Sequence, residues 1–326
     1  MATARQVKAL IESYTERDPD RFLSVASQIA AHAARTGKTR FAEDLRKLVD
    51  EARRMQATQP APLRSIPIAQ PTGELAGLVA ATLPKTRLAD MVLDEHLEQR
   101  LERVLVEYRQ ADRLHAHGLA PRRKLLLLGP SGCGKSMTAS ALAGELRLPL
   151  LTVQFHTLIT KFMGETAAKL RLVFDAIKRS RGVYLFDEFD AIGAHRQGGH
   201  DVGEIRRVLN SFLIFLEQDD SESLIIAASN LEGSLDAALF RRFDDTLHYG
   251  LPSRGMTKRL IENRLSTFDI GRLGWKSVLG AASGMSHADV VKACEEAAKQ
   301  AVLEERRTIR TAELKRALSQ RRRPGA

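Results

Sequence analysis

The sequence predicts an α/β fold: a parallel five-stranded sheet with helices on both faces, preceded by a small all-α domain and followed by a separate all-α unit. Three observations carry that prediction. Short apolar runs alternate with helical segments from about Thr86 to Pro252, the rhythm of strand–helix–strand units in a parallel sheet. Gly129-Pro130-Ser131-Gly132-Cys133-Gly134-Lys135-Ser136 fits G-x-x-x-x-G-K-[ST], between a strand-length run and a helix-prone one. After Pro252 no further strand-like run occurs.

Taken in order, residues 1–56 form a helical unit. Val7, Leu10, Ile11 and Tyr14 share one helical face; Phe22, Val25, Ile29 and Ala33 stripe a second helix, and Phe41, Leu45, Leu48 and Val49 a third. Asp18-Pro19 is a good N-cap and first-turn pair for the second helix. The stripes predict a mutual core in a unit small enough to gain order from a partner. Residues 57–84 form a linker, because Pro60, Pro62, Pro67 and Pro71 interrupt any helix and charge density drops. The α/β domain spans 85–252, with strands at Lys124–Leu128, Pro149–Phe155, Val183–Phe186, Leu224–Ser229 and Thr246–Tyr249. The remainder, 253–326, is a helical lid with a basic tail; its helices fall at Thr257–Leu265, Trp275–Ala282, His287–Leu303 and Thr311–Gln320.

Composition bounds the function classes. The chain has 326 residues, a formal charge of +10 and two cysteines, Cys133 and Cys294. Two distant cysteines exclude a disulfide scaffold and a zinc cluster. No apolar run approaches the ~20 residues of a membrane span, and no signal peptide opens the chain, so a cytoplasmic location is expected. The basic charge raises nucleic acid as a partner, yet most arginines are scattered among acids, with a dense run at Arg321-Arg322-Arg323.

The phosphate loop points to a nucleoside triphosphate. Small residues let backbone N–H groups turn inward on the phosphates, and the following helix adds its positive dipole end. Gly129, Pro130, Ser131, Gly132, Cys133 and Gly134 form the cradle. Lys135 reaches the β- and γ-phosphates, and the Ser136 hydroxyl is a ligand for Mg²⁺. Val183-Tyr184-Leu185-Phe186-Asp187-Glu188 is an apolar strand ending in two carboxylates. At the carboxyl edge of a parallel sheet these acids lie beside the phosphates. Asp187 then holds Mg²⁺ and Glu188 polarises the attacking water. Asn230 ends another apolar strand and is placed to orient that water or to sense the γ-phosphate, although Asn also commonly opens a turn.

Phosphate loop, Asp-Glu, strand-end Asn and then Leu235-Asp236-Ala237-Ala238-Leu239-Phe240-Arg241-Arg242-Phe243-Asp244 together resemble the AAA+ ATPase module, and within it the AAA subgroup of protein remodellers and unfoldases. The resemblance covers roughly residues 85–318. It implies ATP and Mg²⁺ as cofactors and a ring, usually a homo-hexamer, with ATP bound between subunits. Arg241 and Arg242 match paired arginine fingers acting on a neighbour's ATP; they are adjacent here, so which one acts stays open. Lys161-Phe162-Met163-Gly164-Glu165 matches the family's pore loop, which implies that Phe162, Met163 and Gly164 grip a polypeptide substrate; a plain helix-packing Phe and Met is the alternative. His195 to Asp201 corresponds in position to a second pore loop. Gly284 to Val290 resembles the lid segment that closes over adenine, which places Gly284 and Ala288 there; Asp90, Met91 and Val92 occupy the place where relatives touch adenine, largely through backbone.

The implied activity is ATP-driven unfolding, threading or remodelling of proteins. No H-E-x-x-H, G-x-S-x-G or Cys–His pair supplies proteolysis. A looser resemblance to bacterial ATPases encoded beside a subtilisin-like serine protease, some linked to phage defence, implies a separate protease as partner. A nucleic-acid-linked ATPase that remodels nucleoprotein complexes is the alternative reading.

Overall fold

A computed structural model describes residues 4–15, 19–35, 38–57, 73–154, 163–189, 202–230 and 237–322. The chain divides into two compact units. One is Ile66–Gly250; the other joins Met1–Ser65 with Leu251–Ala326.

The first unit is built on a sheet of order β1-β3-β4-β5-β2-β6. Its strands are β1 (Val79–Thr82), β2 (Lys124–Leu128), β3 (Leu150–Gln154), β4 (Val183–Asp187), β5 (Leu224–Ser229) and β6 (Asp245–His248). The five expected strands are all present and mutually parallel. A sixth, β1, pairs antiparallel with β3 inside the segment expected to be linker. It escapes a sequence reading because Val79-Ala80-Ala81-Thr82 is short, alanine-rich and buried on one side only.

The central strands are apolar on both faces because both faces are covered. Leu125 to Leu128 of β2 and Leu224 to Ala227 of β5 are fully buried. Alternate residues serve opposite faces. Leu126, Leu128, Tyr184, Phe186 and Ile225 join Phe174, Phe189 and Phe212 in one cluster. Leu125, Leu127, Val183, Leu185 and Ile226 pack on the other side, against α4 (Glu95–Arg109) and α6 (Lys135–Leu146). The short α5 (Ala111–Ala116) follows α4. Two helices, α7 (Met163–Arg179) and α8 (Val202–Glu217), supply the phenylalanines at 174 and 212, whose rings meet edge to face. A single turn, α9 (Ala237–Phe240), precedes β6.

At the amino ends of the strands, charge pairs fasten β6 and β2. Asp245 pairs with Arg100 and Arg122, and buried Asp219 with Arg123. The Asp244 carboxylate accepts from the amides of Arg123 and Lys124, each at 2.9 Å.

The second unit is helical. It contains α1 (Ala4–Thr15), α2 (Pro19–Arg35) and α3 (Thr39–Ala57), with α10 (Arg254–Arg264), α11 (Trp275–Ala281), α12 (His287–Leu303) and α13 (Thr311–Arg321). The N-terminal and C-terminal helices therefore share one compact body, joined in part by an Arg307–Asp50 ion pair at 3.2 Å. Their expected stripes split. Val25, Ile29, Ala33 and Val49 are buried, whereas Ile11, Tyr14, Phe41 and Leu48 stand more than half exposed. The small Ala9 and Ser13 form the buried side of α1 instead, and the Ser13 hydroxyl is satisfied by donating to Leu10 O at 2.8 Å. Small residues let α1 approach its neighbour closely, so Val7, Ile11 and Tyr14 stand outward while Leu10 packs against Leu23, Ala26 and Val49.

Candidate active site

β2 ends at Leu128, and the loop to α6 begins with Gly129 at φ 143°. A β-carbon on Gly129 would lie 2.1 Å from the Tyr249 carbonyl oxygen, so only glycine fits this corner. Gly134, at φ 100°, caps α6 in the left-handed region. These positions turn the loop so that Lys135 and Ser136 start the helix at the carboxyl edge of the sheet.

Lys135 is buried, and its Nζ donates to Gly129 O at 2.7 Å, Pro130 O at 3.0 Å and Asn230 Oδ1 at 2.8 Å. Ser136 Oγ donates to Asp187 Oδ2 at 2.7 Å. The other Asp187 oxygen accepts the Glu188 amide at 3.0 Å. The strand order explains the convergence: β5 lies between β2 and β4, so Asn230 falls between the phosphate loop and the two acids. Glu188 is exposed and holds φ 54°, a left-handed conformation that costs a non-glycine residue about 1–2 kcal/mol. Such local strain at a turn is a mark of functional positions.

The donor set fits a magnesium-bound triphosphate. The loop offers backbone amides and a helix N-terminus, Lys135 a buried ammonium, and Ser136 with Asp187 a paired hydroxyl and carboxylate, the hard oxygen ligands that Mg²⁺ takes.

The Asp90 carboxylate is engaged locally, accepting the Arg87 amide at 2.8 Å. Its neighbour Met91 is the residue beside the loop, with its Cε 3.4 Å from where a Gly134 β-carbon would sit and its Sδ 4.0 Å from Thr138 Oγ1. Arg241 and Arg242 are both exposed. The Arg242 guanidinium pairs with Glu217 at the end of α8, whereas Arg241 forms no ion pair among the described residues. Phe162, His195 and His200 lie outside the described residues. The backbone of Met163 and Gly164 opens α7, and their side chains also lie outside the description.

Gly284 and Ala288 belong to the helical unit. Gly284 holds φ 77°, and Ser286 caps α12 by accepting the Asp289 amide at 3.2 Å. Next to it both ring nitrogens of His287 are buried without a partner, and burial holds its pKa below the usual histidine value.

Sequence reasoning missed Tyr249. Its amide donates to Leu128 O at 2.7 Å, its carbonyl walls Gly129, and its hydroxyl donates to Thr138 Oγ1 at 2.8 Å. It reads as the end of a strand, and nothing local marks it as the brace of a loop 120 residues earlier.

Residues 125–251 match the family described as ATPase family associated with various cellular activities (AAA). Over its whole length the chain is 35% identical to an uncharacterized AAA family ATPase, y4kL, of Sinorhizobium fredii, covering 98% of that protein. The chain belongs to the AAA ATPase family. This AAA ATPase is accordingly an ATP hydrolase. It is also 30% identical over 73% of its length to the ATP-dependent zinc metalloprotease FtsH 4 of Sphaerobacter thermophilus, of which it spans only 37%. A similar protease, FtsH of Cupriavidus metallidurans, is 32% identical over 57% of the AAA ATPase, which spans 30% of it. The crystal structure of the FIGL-1 AAA domain shares the fold, with a TM-score of 0.62 at 22% identity over 81% of this chain and 94% of that one. Among the described residues no helix is long and apolar enough to cross a membrane.

Proposed function

We propose that this AAA ATPase assembles into a ring, a homo-hexamer, and couples ATP hydrolysis to the unfolding, threading or remodelling of protein substrates. The observation that carries the reading is the split of catalytic groups. Lys135, Ser136, Asp187, Glu188 and Asn230 gather at one sheet edge, while Arg241 is exposed and makes no ion pair among the described residues. A guanidinium is suited to γ-phosphate oxygens, so an exposed one fits a role on a neighbour's nucleotide.

Lys135 exchanges its loop carbonyls for phosphate oxygens when ATP enters. Ser136 and Asp187 would hold Mg²⁺, which would supply positive charge against the phosphates. Glu188 takes a proton from the attacking water, and Asn230 orients that water and buttresses Lys135. Of the adjacent arginines, Arg241 is the trans-acting finger, and Arg242 is retained by Glu217. Phe162 and Met163 grip the polypeptide, with Gly164 beside them. That the FtsH relatives are ATP-dependent zinc metalloproteases supports a protein substrate; proteolysis here would come from a separate serine protease, in a bacterial defence pair.

The test is ATP turnover with a disordered protein and, in parallel, with DNA, in the wild type and in Phe162→Ala. Stimulation by protein that disappears in Phe162→Ala, with basal turnover intact, is expected. Stimulation by DNA alone, unaffected by the substitution, would replace this reading with a nucleic-acid-linked one.

A further inference from the structure

Within the helical unit, α2 and α3 face the segment from α10 to α11 across a cavity of about 430 Å³. That volume lies in the range of small-molecule sites. Its walls are largely apolar: Ala31 from α2, with Leu265, Phe268, Ile270 and the chain's single tryptophan, Trp275, from the C-terminal segment.

The polar groups on the lining are unevenly satisfied. Glu262 has Lys258 at 4.0 Å, and Lys258 in turn sits 5.2 Å from the centre of the Trp275 ring. Asp269 accepts the Gly271 amide at 3.0 Å. In the smaller neighbouring cavity, Asp50 is taken by Arg307. Arg46 lines both cavities, yet its Nε is buried with no partner and it forms no hydrogen bond or ion pair among the described residues. A buried donor on a permanent cation is costly to leave unmade. The lining carboxylates Glu262, Asp269 and Asp50 are already engaged, so the missing acceptor is one the described residues do not supply.

We propose that this cavity binds a small organic anion, a flat apolar body with one oxyanion head, the head on Arg46 and the body against Trp275 and the aliphatic wall. The guanidinium offers the fork of donors that carboxylate, sulfonate and phosphate groups accept, and the wall removes a ring-sized apolar surface from water. The ligand touches α3 and the C-terminal helical segment together, so its binding fastens the N-terminal helices to the lid. This site is independent of the phosphate loop.

Naphthalene-2-sulfonate serves as the probe on the full chain, with 2-naphthalenemethanol as the uncharged control. Binding is followed at the indole N–H resonance of Trp275, which a single tryptophan makes unambiguous. A saturable shift at one site per chain is expected with the sulfonate, weakened about tenfold in Arg46→Met, as for loss of a charged hydrogen bond. Arg46→Lys retains the charge and recovers part of that loss. Ala34 of α2 also lines the cavity, and Ala34→Phe fills it and abolishes the shift while the protein keeps its melting temperature. An unmoved Trp275 resonance, equal affinity in Arg46→Met and wild type, or equal binding of the neutral control would overturn the proposal.

Discussion

Tyr249 donates its hydroxyl hydrogen to Thr138 Oγ1 at 2.8 Å, and Thr138 donates onward to Gly134 O at 3.1 Å. This buried relay ties the end of β6 to the start of the helix that carries Lys135. Burial also raises the Tyr249 pKa well above the ordinary tyrosine value, so the phenol stays a donor at neutral pH. Tyr249→Phe leaves Thr138 without that donor and lowers stability by about 1 kcal/mol. The urea midpoint is expected to fall at an unchanged slope; an unchanged midpoint would show the relay to be energetically idle.

Lys135→Met and Glu188→Gln separate binding from chemistry. The first removes a buried ammonium with three oxygen acceptors, and a fluorescent ATP analogue is expected to bind at least about tenfold more weakly. The second leaves the exposed Glu188 position isosteric but unable to accept a proton. Analogue binding stays near wild type, while phosphate release falls by about 10²–10⁴. Retained turnover in Glu188→Gln would assign the base elsewhere.

The adjacent arginines are expected to behave unequally. Arg241→Ala lowers turnover by about 10³, the lower end for an arginine finger, whereas Arg242→Ala and Glu217→Gln change it far less. Mixing Arg241→Ala with Lys135→Met protein should restore part of the activity, because some composite sites then hold an intact loop and an intact finger. If Arg242→Ala is the more damaging substitution, the pair with Glu217 is a resting state and the assignment reverses.

His287 makes stability depend on pH with a defined sign. Burial holds its folded-state pKa below the unfolded value of 6.5, so the unfolded chain binds more protons between the two. Stability therefore falls as pH drops from about 6.5 through the folded-state pKa, and the slope ends below it. His287→Gln is expected to flatten this part of the pH–stability curve. An identical curve in the variant would place the proton uptake on another group.

The exposed stripe on α1 shows where periodicity stops informing. Val7, Ile11 and Tyr14 recur at helical spacing, yet the structure buries Ala9 and Ser13, because which side of a helix meets its neighbour depends on the neighbour. The β1 strand shows a second limit. Four residues with two alanines carry no alternation strong enough to outweigh the proline-rich stretch before them, and pairing with β3 is what makes them a strand.

Local chemistry was determined by the sequence itself. The spacing of Gly129, Gly134, Lys135 and Ser136 demands a tight turn into a helix, and an apolar run ending in Asp187-Glu188 demands a buried strand with solvated acids at its end. These demands are met within a few residues, so they survive in any context that folds. Only the tertiary structure decided that Tyr249 braces Gly129, that the Met91 side chain lies beside the loop, and that Arg242 is held by Glu217. The unsatisfied Arg46 in its cavity is of the same kind. Each depends on segments far apart in the chain meeting at contact distance, and the strand order and helix packing that bring them together are not written in any one of them.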